Sequence, residues 1–207
     1  MTEDTCAPSL ADQQRDLART RILRAAGEVL GTRGLTATMD DVAEVAGVNR
    51  RTVFRHFATR DSLFAQTILA GVHRYSEHLP TAPEEGDLRA WLRELLAVTH
   101  RLNVDNGRVF WEIAALPTDD LSSELAAAAQ EARKARNTFA VKVTGRLWQA
   151  RGGNGKPPRW LVDAVAVQLS GFTTQALIGD LARSPADVAD VAARVIEAAI
   201  GSAIRSA

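Results

Sequence analysis

Arginines stand at the beginnings of two helices that the sequence predicts early in the chain. Arg50 and Arg51 open one helix, and Arg60 opens the next. A helix N-terminus carries a partial positive charge, so a cation placed there costs ~0.3–1 kcal/mol. Three cations set against the helix dipole indicate an external polyanion, because arginines and helix N-termini together bind phosphate.

The charge of the chain is segregated along its length. The 207 residues hold 25 basic and 25 acidic side chains, yet residues 15–60 hold nine arginines against five acidic residues. Residues 61–207 hold 16 basic and 17 acidic side chains. The local basic excess predicts an anionic partner for the N-terminal part of the chain. The alternative is a solvated surface on a structural helix pair, which is what most charge runs are.

The elements that position these arginines form a predicted helix-turn-helix. Thr38 caps a helix that ends at Ala46, and Gly47 begins a tight turn into a second helix, from about Asn49 to Phe57. That second helix would be ~13 Å long at 1.5 Å per residue. The major groove of B-DNA is ~12 Å wide and admits one helix. The sequence therefore predicts that this helix binds DNA.

We expect Arg50 and Arg51 to read bases, because a guanidinium matches the two acceptors of guanine. Asn49 and Arg55 are expected on the same exposed face. Phosphate contacts, which position the protein without specifying sequence, are expected from Thr38, Thr52, His56 and Arg60. The opposite face is expected to turn Val48, Val53 and Phe57 toward a small core.

The apolar spacing is helical throughout, which predicts an all-α fold of about nine helices. Residues 1–14 are expected to be a disordered tail, and residues 15–79 a DNA-binding domain with a connecting helix. Two prolines and a glycine in residues 80–86 mark the boundary to a second helical domain, residues 80–207. The predicted helices span about residues 16–30, 39–46, 49–57, 60–79, 87–103, 105–116, 119–151, 159–182 and 186–205.

Several chemistries find no support in the sequence. The single cysteine, Cys6, allows no disulfide or thiolate cluster within one chain, and the four histidines lack metal-ligand spacing. No catalytic motif is present, so we expect no enzyme activity, no cofactor and no metal ion. The longest uncharged run, Ala164–Gly179, has 16 residues, which is short for a membrane span, and no secretory signal is evident. We therefore expect a cytoplasmic protein with no membrane partner.

Four stretches, taken as a set, resemble the TetR family of transcriptional regulators. They are Arg21–Ala26, Gly34–Ala43, Ala46–Phe57 and Arg60–Phe64. The resemblance covers about residues 15–65. It implies a homodimer that binds a palindromic DNA operator, usually as a repressor released by a small-molecule ligand. It also implies phosphate contacts from Thr38, Thr52, His56 and Arg60.

The chain departs from the family's pattern at two positions of the second helix. Phe54 stands where the family commonly has a tyrosine that contacts phosphate. A phenylalanine cannot donate that hydrogen bond, so we assign Phe54 to packing. Asn49 replaces the common serine at the start of the helix, where it can still serve as a cap.

The second domain is expected to provide the dimer interface and a ligand pocket. The helices at 159–182 and 186–205 are apolar on wide faces and are assigned to the homodimer, the alternative being the core of a monomer. Aromatic side chains and the polar groups near them could line a pocket or simply fill a core. The ligand-binding candidates are Trp91, Arg108, Phe110, Trp111, Glu112, Asn137, Trp148, Phe172, Thr173 and Gln175.

Three function classes remain open at this point. The first is a dimeric, ligand-responsive DNA-binding repressor. The second is a small-molecule binding protein whose helix-turn-helix has weak or lost DNA binding, an alternative motivated by Phe54. The third is an all-helical enzyme, for which the sequence offers no pair of nucleophile and base.

Overall fold

Helices form nearly all of the regular structure in the computed structural model. It describes residues 9–115 and 117–206, apart from the side chains of residues 110, 111, 114 and 118. The α-helices of this part are α1 (Leu10–Arg33), α2 (Met39–Ala46), α3 (Arg50–His56), α4 (Arg60–Glu77), α5 (Leu88–Asp105), α6 (Arg108–Ala115), α7 (Ser123–Ala150), α8 (Arg159–Gln168), α9 (Gly171–Thr174) and α10 (Pro185–Arg205). Short 3-10 turns lie at Gly34–Thr36 and Thr118–Asp120. The predicted all-α fold class is confirmed.

Helix α1 begins earlier than the apolar spacing predicts. Ser9 is its N-cap and accepts a hydrogen bond from the Asp12 backbone N–H at 3.2 Å. Leu10 and Leu17 are exposed, and regular burial starts only at Ile22. The prediction of a disordered tail to residue 14 is therefore wrong for residues 10–14, because a cap starts this helix several turns before its buried stripe. Residues 1–8, including Cys6, lie outside the described residues.

Local capping signals build the helix-turn-helix. Thr38 and Asp41 form a reciprocal capping box at the start of α2. Gly47 ends α2 with φ at 61°, a left-handed conformation that favours glycine. Asn49 then caps α3. Helices α2 and α3 therefore lie where the sequence predicts them.

A first core joins α1 to α4. Val53 of α3 and Phe57, which directly follows α3, are buried there, and Val48 is half-buried against it, as predicted. The same core extends beyond the predicted domain boundary at residue 80. Its members from α6 and α7 are Val109, Ile113, Leu125, Ala128 and Ala129.

A second core lies among α5, α7, α8 and α10. It contains Leu95, Leu161 and Ile196, all essentially inaccessible to solvent. Ser184 and Asp187 form a capping box at the start of α10, with Pro185 in the first turn, where proline is favoured. Helix α10 therefore lies close to the predicted bounds of 186–205.

The single helix predicted over residues 159–182 is wrong, because it is interrupted after Gln168. The Ser170 hydroxyl donates to the Val167 carbonyl at 2.7 Å and caps α9, so its side chain replaces the regular backbone bond. A π-helix over Gln175–Asp180 follows α9. This bent pair, Arg159–Gln168 with Gly171–Asp180, has the combined length and composition of a membrane span, whereas no single helix in the described part does.

Candidate functional site

Helix α3 presents arginines to solvent on the face opposite the first core. Arg51 and Arg55 are exposed, and neither makes a hydrogen bond or ion pair with any residue in 9–115 or 117–206. The Arg50 guanidinium donates to Asp40 Oδ2 at 2.9 Å and lies 5.3 Å from the centre of the Phe54 ring. An exposed ion pair contributes only ~0–1 kcal/mol, so Arg50 can exchange Asp40 for another anion at small cost.

Phe54 packs at the surface of α3. The residue is 39% exposed, its ring lies under the Arg50 guanidinium, and it is not a member of the first core. The assignment to packing therefore takes a specific form, in which the ring supports a cation by a cation–π contact.

Two of the predicted DNA-contacting residues, Thr38 and Asn49, already act as helix caps, and a third, Thr52, donates to one of them. The Thr38 hydroxyl donates to Asp41 Oδ2 at 2.8 Å. Asn49 Oδ1 accepts from the Thr52 N–H at 2.8 Å and from the Thr52 hydroxyl at 2.9 Å. These side chains lie at the exposed or half-exposed ends of α2 and α3, where their contact with DNA remains a prediction.

Arg60 is bound inside the domain. Its Nε donates to the Ala37 carbonyl at 2.9 Å, its Nη2 to the Leu35 carbonyl, and its Nη1 to Asp61 Oδ1 at 3.2 Å. The guanidinium also lies 5.0 Å from the centre of the Phe64 ring. Arg60 therefore fastens the start of α4 to the turn between α1 and α2, and its predicted phosphate contact remains untested.

His56 is half-buried at the end of α3, and its Nε2 has no hydrogen-bond partner in the described part of the chain. Burial lowers the pKa of His56, and the nearby Arg55, Arg19 and Arg15 guanidinium groups lower it further. A neutral imidazole is therefore held in a positive field, which is a suitable environment for an approaching phosphate.

A buried carboxylate joins α6 to the turn between α1 and α2. Glu112 Oε2 accepts from the Leu35 backbone N–H at 2.8 Å, and Oε1 accepts from Arg108 Nε. Gly34 lies against this carboxylate with φ at 60°, and a Cβ there would overlap it. Glu112 and Arg108, which the sequence predicts to orient a ligand, lie in a contact between the two predicted domains, and Arg108 also lines a cavity. Their ligand role stays a prediction.

A partly open cavity of about 120 Å³ lies between α4 and α7. Apolar side chains form most of its wall, including Ile68 and Val72 of α4, Phe139 of α7 and Ile113 of α6. Its charged lining consists of Arg133 and Arg136, both from α7.

The polar side chains of the lining include Arg133 and Arg136 of α7 and, across from them, Tyr75 and Ser76 of α4. Arg133 Nη2 donates to the Ile113 carbonyl at 3.0 Å. Burial lowers the pKa of Arg136, and the neighbouring Arg133 charge lowers it further. Burial raises the pKa of Tyr75 to about 12, so its phenol remains neutral.

The sequence-based ligand candidates lie elsewhere in the fold. Trp91 and Trp148 are buried in the second core, where their indole N–H groups donate to the Pro80 carbonyl at 3.1 Å and the Asn154 carbonyl at 3.3 Å. Asn137 and Phe172 are exposed, and the Thr173 hydroxyl donates to the Val167 carbonyl. Arg108 and Gln175 line a second, more open cavity of about 430 Å³. The side chains of Phe110 and Trp111 lie outside the described residues.

The sequence did contain a signal for the α4–α7 cavity. Ile68, Val72, Tyr75 and Leu79 recur at helical spacing and continue past the part of α4 that the helix-turn-helix uses. That stripe needs a partner beyond the N-terminal domain, and α7 supplies it.

Large apolar side chains are exposed along α8 to α10. The exposed apolar side chains along this stretch are Trp160, Val167, Phe172, Leu181, Val191 and Val195. The described residues contain no group of three or more histidine, cysteine or acidic side chains arranged to hold a metal ion.

Comparison with known proteins agrees with this geometry. Residues 22–67 match the family model described as bacterial regulatory proteins, tetR family, which confirms the resemblance over the helix-turn-helix. The chain matches none of the curated proteins.

Solved structures of regulators share the fold. The fatty acid degradation regulator FadR from Bacillus halodurans is 15% identical, with a TM-score of 0.67 over 86% of this chain and 94% of that one. A transcriptional regulator from Rhodococcus sp. Rha1 is 20% identical, with a TM-score of 0.66 over 91% and 96%. FadR from Bacillus subtilis in complex with stearoyl-CoA is 15% identical, with a TM-score of 0.63 over 86% and 96%. At these identities the likeness concerns the fold.

Proposed function

We propose that this chain, whose residues 22–67 carry a tetR-family segment, is a cytoplasmic, homodimeric, DNA-binding transcriptional regulator. A small molecule bound in the second domain releases it from its operator, so that it acts as a repressor. The observation that carries the proposal is the face of α3, where Arg51 and Arg55 are exposed and unengaged within the described part of the chain.

In this proposal α3 enters the major groove. Arg51 and Arg50 read guanine, and Arg55 lies along the same groove. Asn49 and Thr52 at the start of the helix, with Thr38, His56 and Arg60 around it, contact phosphates. The contacts of Arg50 with Asp40 and Phe54 orient its guanidinium in the free protein, so that less side-chain entropy is lost on binding DNA.

The dimer forms through α8 to α10, within the predicted ranges 159–182 and 186–205. The exposed large apolar side chains there, which include Trp160 and Leu181, support this assignment, because exposed apolar surface is typical of protein interfaces. A two-fold dimer places two copies of α3 in successive major grooves, ~34 Å apart.

Two elements connect the cavity with the helix-turn-helix. Ile68 lines the cavity, and the part of α4 before it belongs to the first core. Ile113 also lines the cavity, and its neighbour Glu112 holds the Leu35 N–H. A ligand that parts α4 from α7 therefore shifts the base of the DNA-binding domain and moves the two α3 helices off their spacing.

Stearoyl-CoA, the ligand of the Bacillus subtilis FadR structure, is far larger than the present cavity of about 120 Å³. A ligand of that size does not fit this cavity unless its walls move apart.

Selection of bound duplexes from a random DNA pool, at two salt concentrations, tests the proposal. A palindromic consensus is the expected result. Arg51→Ala should lose affinity by ~1–3 kcal/mol and relax preference at one position of each half-site. Arg151→Ala removes an exposed arginine at the end of α7, far along the chain from α3, and should bind like wild type. Failure of folded, ligand-free protein to enrich any sequence would overturn the proposal and favour a small-molecule binding protein.

A further inference from the structure

The cavity between α4 and α7 pairs an apolar wall with two adjacent cations. We propose that it takes an organic carboxylate with a compact apolar body, and that Arg136 binds the carboxylate group. This inference names the effector of the proposed regulator, and it rests on that proposal only for the release of DNA.

Arg136 and Arg133 stand three residues apart on α7, so their side chains share one face of the helix. Like charges at this spacing repel each other, and burial adds a further cost to each. Among the described residues, the cavity lining holds no aspartate or glutamate, and Arg136 makes no ion pair or hydrogen bond with any of them. An anion in the cavity would offset both costs.

The rest of the lining fits the other end of such a molecule. Ile68, Val72, Leu79 and Phe139 offer apolar contact and no hydrogen-bonding groups. Tyr75 lies near enough to Arg136 to feel its charge and brings a neutral phenol to the polar wall. A ligand therefore lies with its apolar body along α4 and its anionic group toward α7.

The volume limits the size of the body. An engineered apolar protein cavity of ~150 Å³ binds benzene, so the present cavity of about 120 Å³ admits a group of about one six-membered ring. A longer body must push α4 away from α7 to enter. The best ligands are therefore aryl or short aliphatic carboxylates, which fill the cavity and press on α4.

Calorimetric titration of the full-length protein with three molecules of one shape tests the proposal. The probes are 3-phenylpropanoate, 3-phenylpropanol and 3-phenylpropylamine. We expect the carboxylate to bind about tenfold or more tightly than the alcohol, since charge-assisted hydrogen bonds are the stronger ones. The amine should bind more weakly than either.

Substitutions identify the group responsible. Arg136→Gln should remove the preference for the carboxylate over the alcohol, and Arg136→Lys should retain part of it. Lys142→Gln changes an exposed cation on the same helix outside the cavity and should have no effect. Ala132→Leu narrows the cavity and should weaken carboxylate and alcohol alike. Circular dichroism of each variant confirms that it is folded.

Several results would overturn the proposal. Equal affinity for the carboxylate and the alcohol would do so, as would an unchanged preference in Arg136→Gln. The proposal would also be overturned if the folded wild type bound none of the four carboxylates 3-phenylpropanoate, benzoate, hexanoate and decanoate. DNA binding measured on the same samples separates the two proposals. Sequence-specific DNA binding without carboxylate binding removes only the effector class, and carboxylate binding without DNA binding removes only the regulator.

Discussion

Replacing Glu112 with alanine removes the acceptor that joins α6 to the turn between α1 and α2. In the wild type, Glu112 Oε2 accepts from the Leu35 N–H at 2.8 Å and Oε1 accepts from Arg108. The Glu112 side chain is 11% exposed and that of Arg108 51% exposed. The variant therefore leaves a half-buried backbone donor without its partner and frees an arginine that can still reach water.

The two losses differ in size. A hydrogen bond to a charged acceptor contributes ~1.5–3 kcal/mol, and loss of a partner for a buried donor costs a similar amount. Loss of the Arg108–Glu112 ion pair, in which Arg108 is largely exposed, adds ~0–1 kcal/mol to the destabilisation. We expect Glu112→Ala to lower the free energy of unfolding by ~2–3 kcal/mol, and Tm by ~4–12 °C for a chain of this size. Glu112→Gln keeps an acceptor for Leu35 and should lose less.

Urea unfolding and a thermal scan measure this effect, with DNA affinity as a second readout. Glu131→Ala is the matched control, because Glu131 is an exposed carboxylate on α7 that pairs with the exposed Lys134 at 3.5 Å. That control should change stability by less than ~0.5 kcal/mol. If Glu112→Ala is as stable as Glu131→Ala, the contact between α6 and the turn is not made in solution, and the coupling route through α6 is wrong.

Three further predictions test other parts of the structure. Arg60→Ala should lower Tm by several degrees, because the Arg60 guanidinium donates to two backbone carbonyls. Arg55→Ala should leave Tm unchanged and weaken DNA binding in an anisotropy titration. Equal Tm values for the two variants would contradict the internal role of Arg60. Burial lowers the pKa of His100 to about 4 from its ordinary 6.5, so the unfolded chain takes up a proton first as pH falls. The free energy of unfolding, measured with urea, should be at its highest above pH 6.5 and ~2 kcal/mol lower at pH 5. His100→Asn should lose most of this pH dependence. A wild-type free energy that does not change with pH would show that His100 is hydrated. Gly34→Ala should destabilise the protein by more than ~1 kcal/mol because of its positive φ and the adjacent carboxylate, while Gly145→Ala, with open space around it in α7, should stabilise it slightly in the same thermal scan.

The helix-turn-helix could be predicted closely because its signals are local. Thr38, Gly47 and Asn49 each fix a helix end through contacts within a few residues. The start of α1 was missed because its first turns bury almost nothing, and only the cap at Ser9 marks them. The break at Ser170 was missed because one hydroxyl decides it within an apolar run.

The site was predictable only where single residues carry the information. The exposed arginines of α3 follow from helix periodicity and charge. The roles of Arg60 and Glu112 depend on partners 23 to 77 residues away, which no local pattern shows. The tryptophans suggested a pocket by their size, yet Trp91 and Trp148 fill the second core. From the sequence alone, Arg136 is indistinguishable from the exposed charged residues of its alanine-rich helix, although it lines the α4–α7 cavity.

The first core, which α6 and α7 complete, limits how this protein can be recombined. A chimaera cut in the linker at residues 80–86 would keep α1 to α4 but discard Val109, Ile113 and Leu125, which pack against them. A foreign effector domain would bring different side chains to that surface, leaving voids or clashes. Transferring the proposed DNA specificity to another protein therefore requires the matching faces of α6 and α7 as well. Exchanging only the exposed residues of α3 is the less disruptive route.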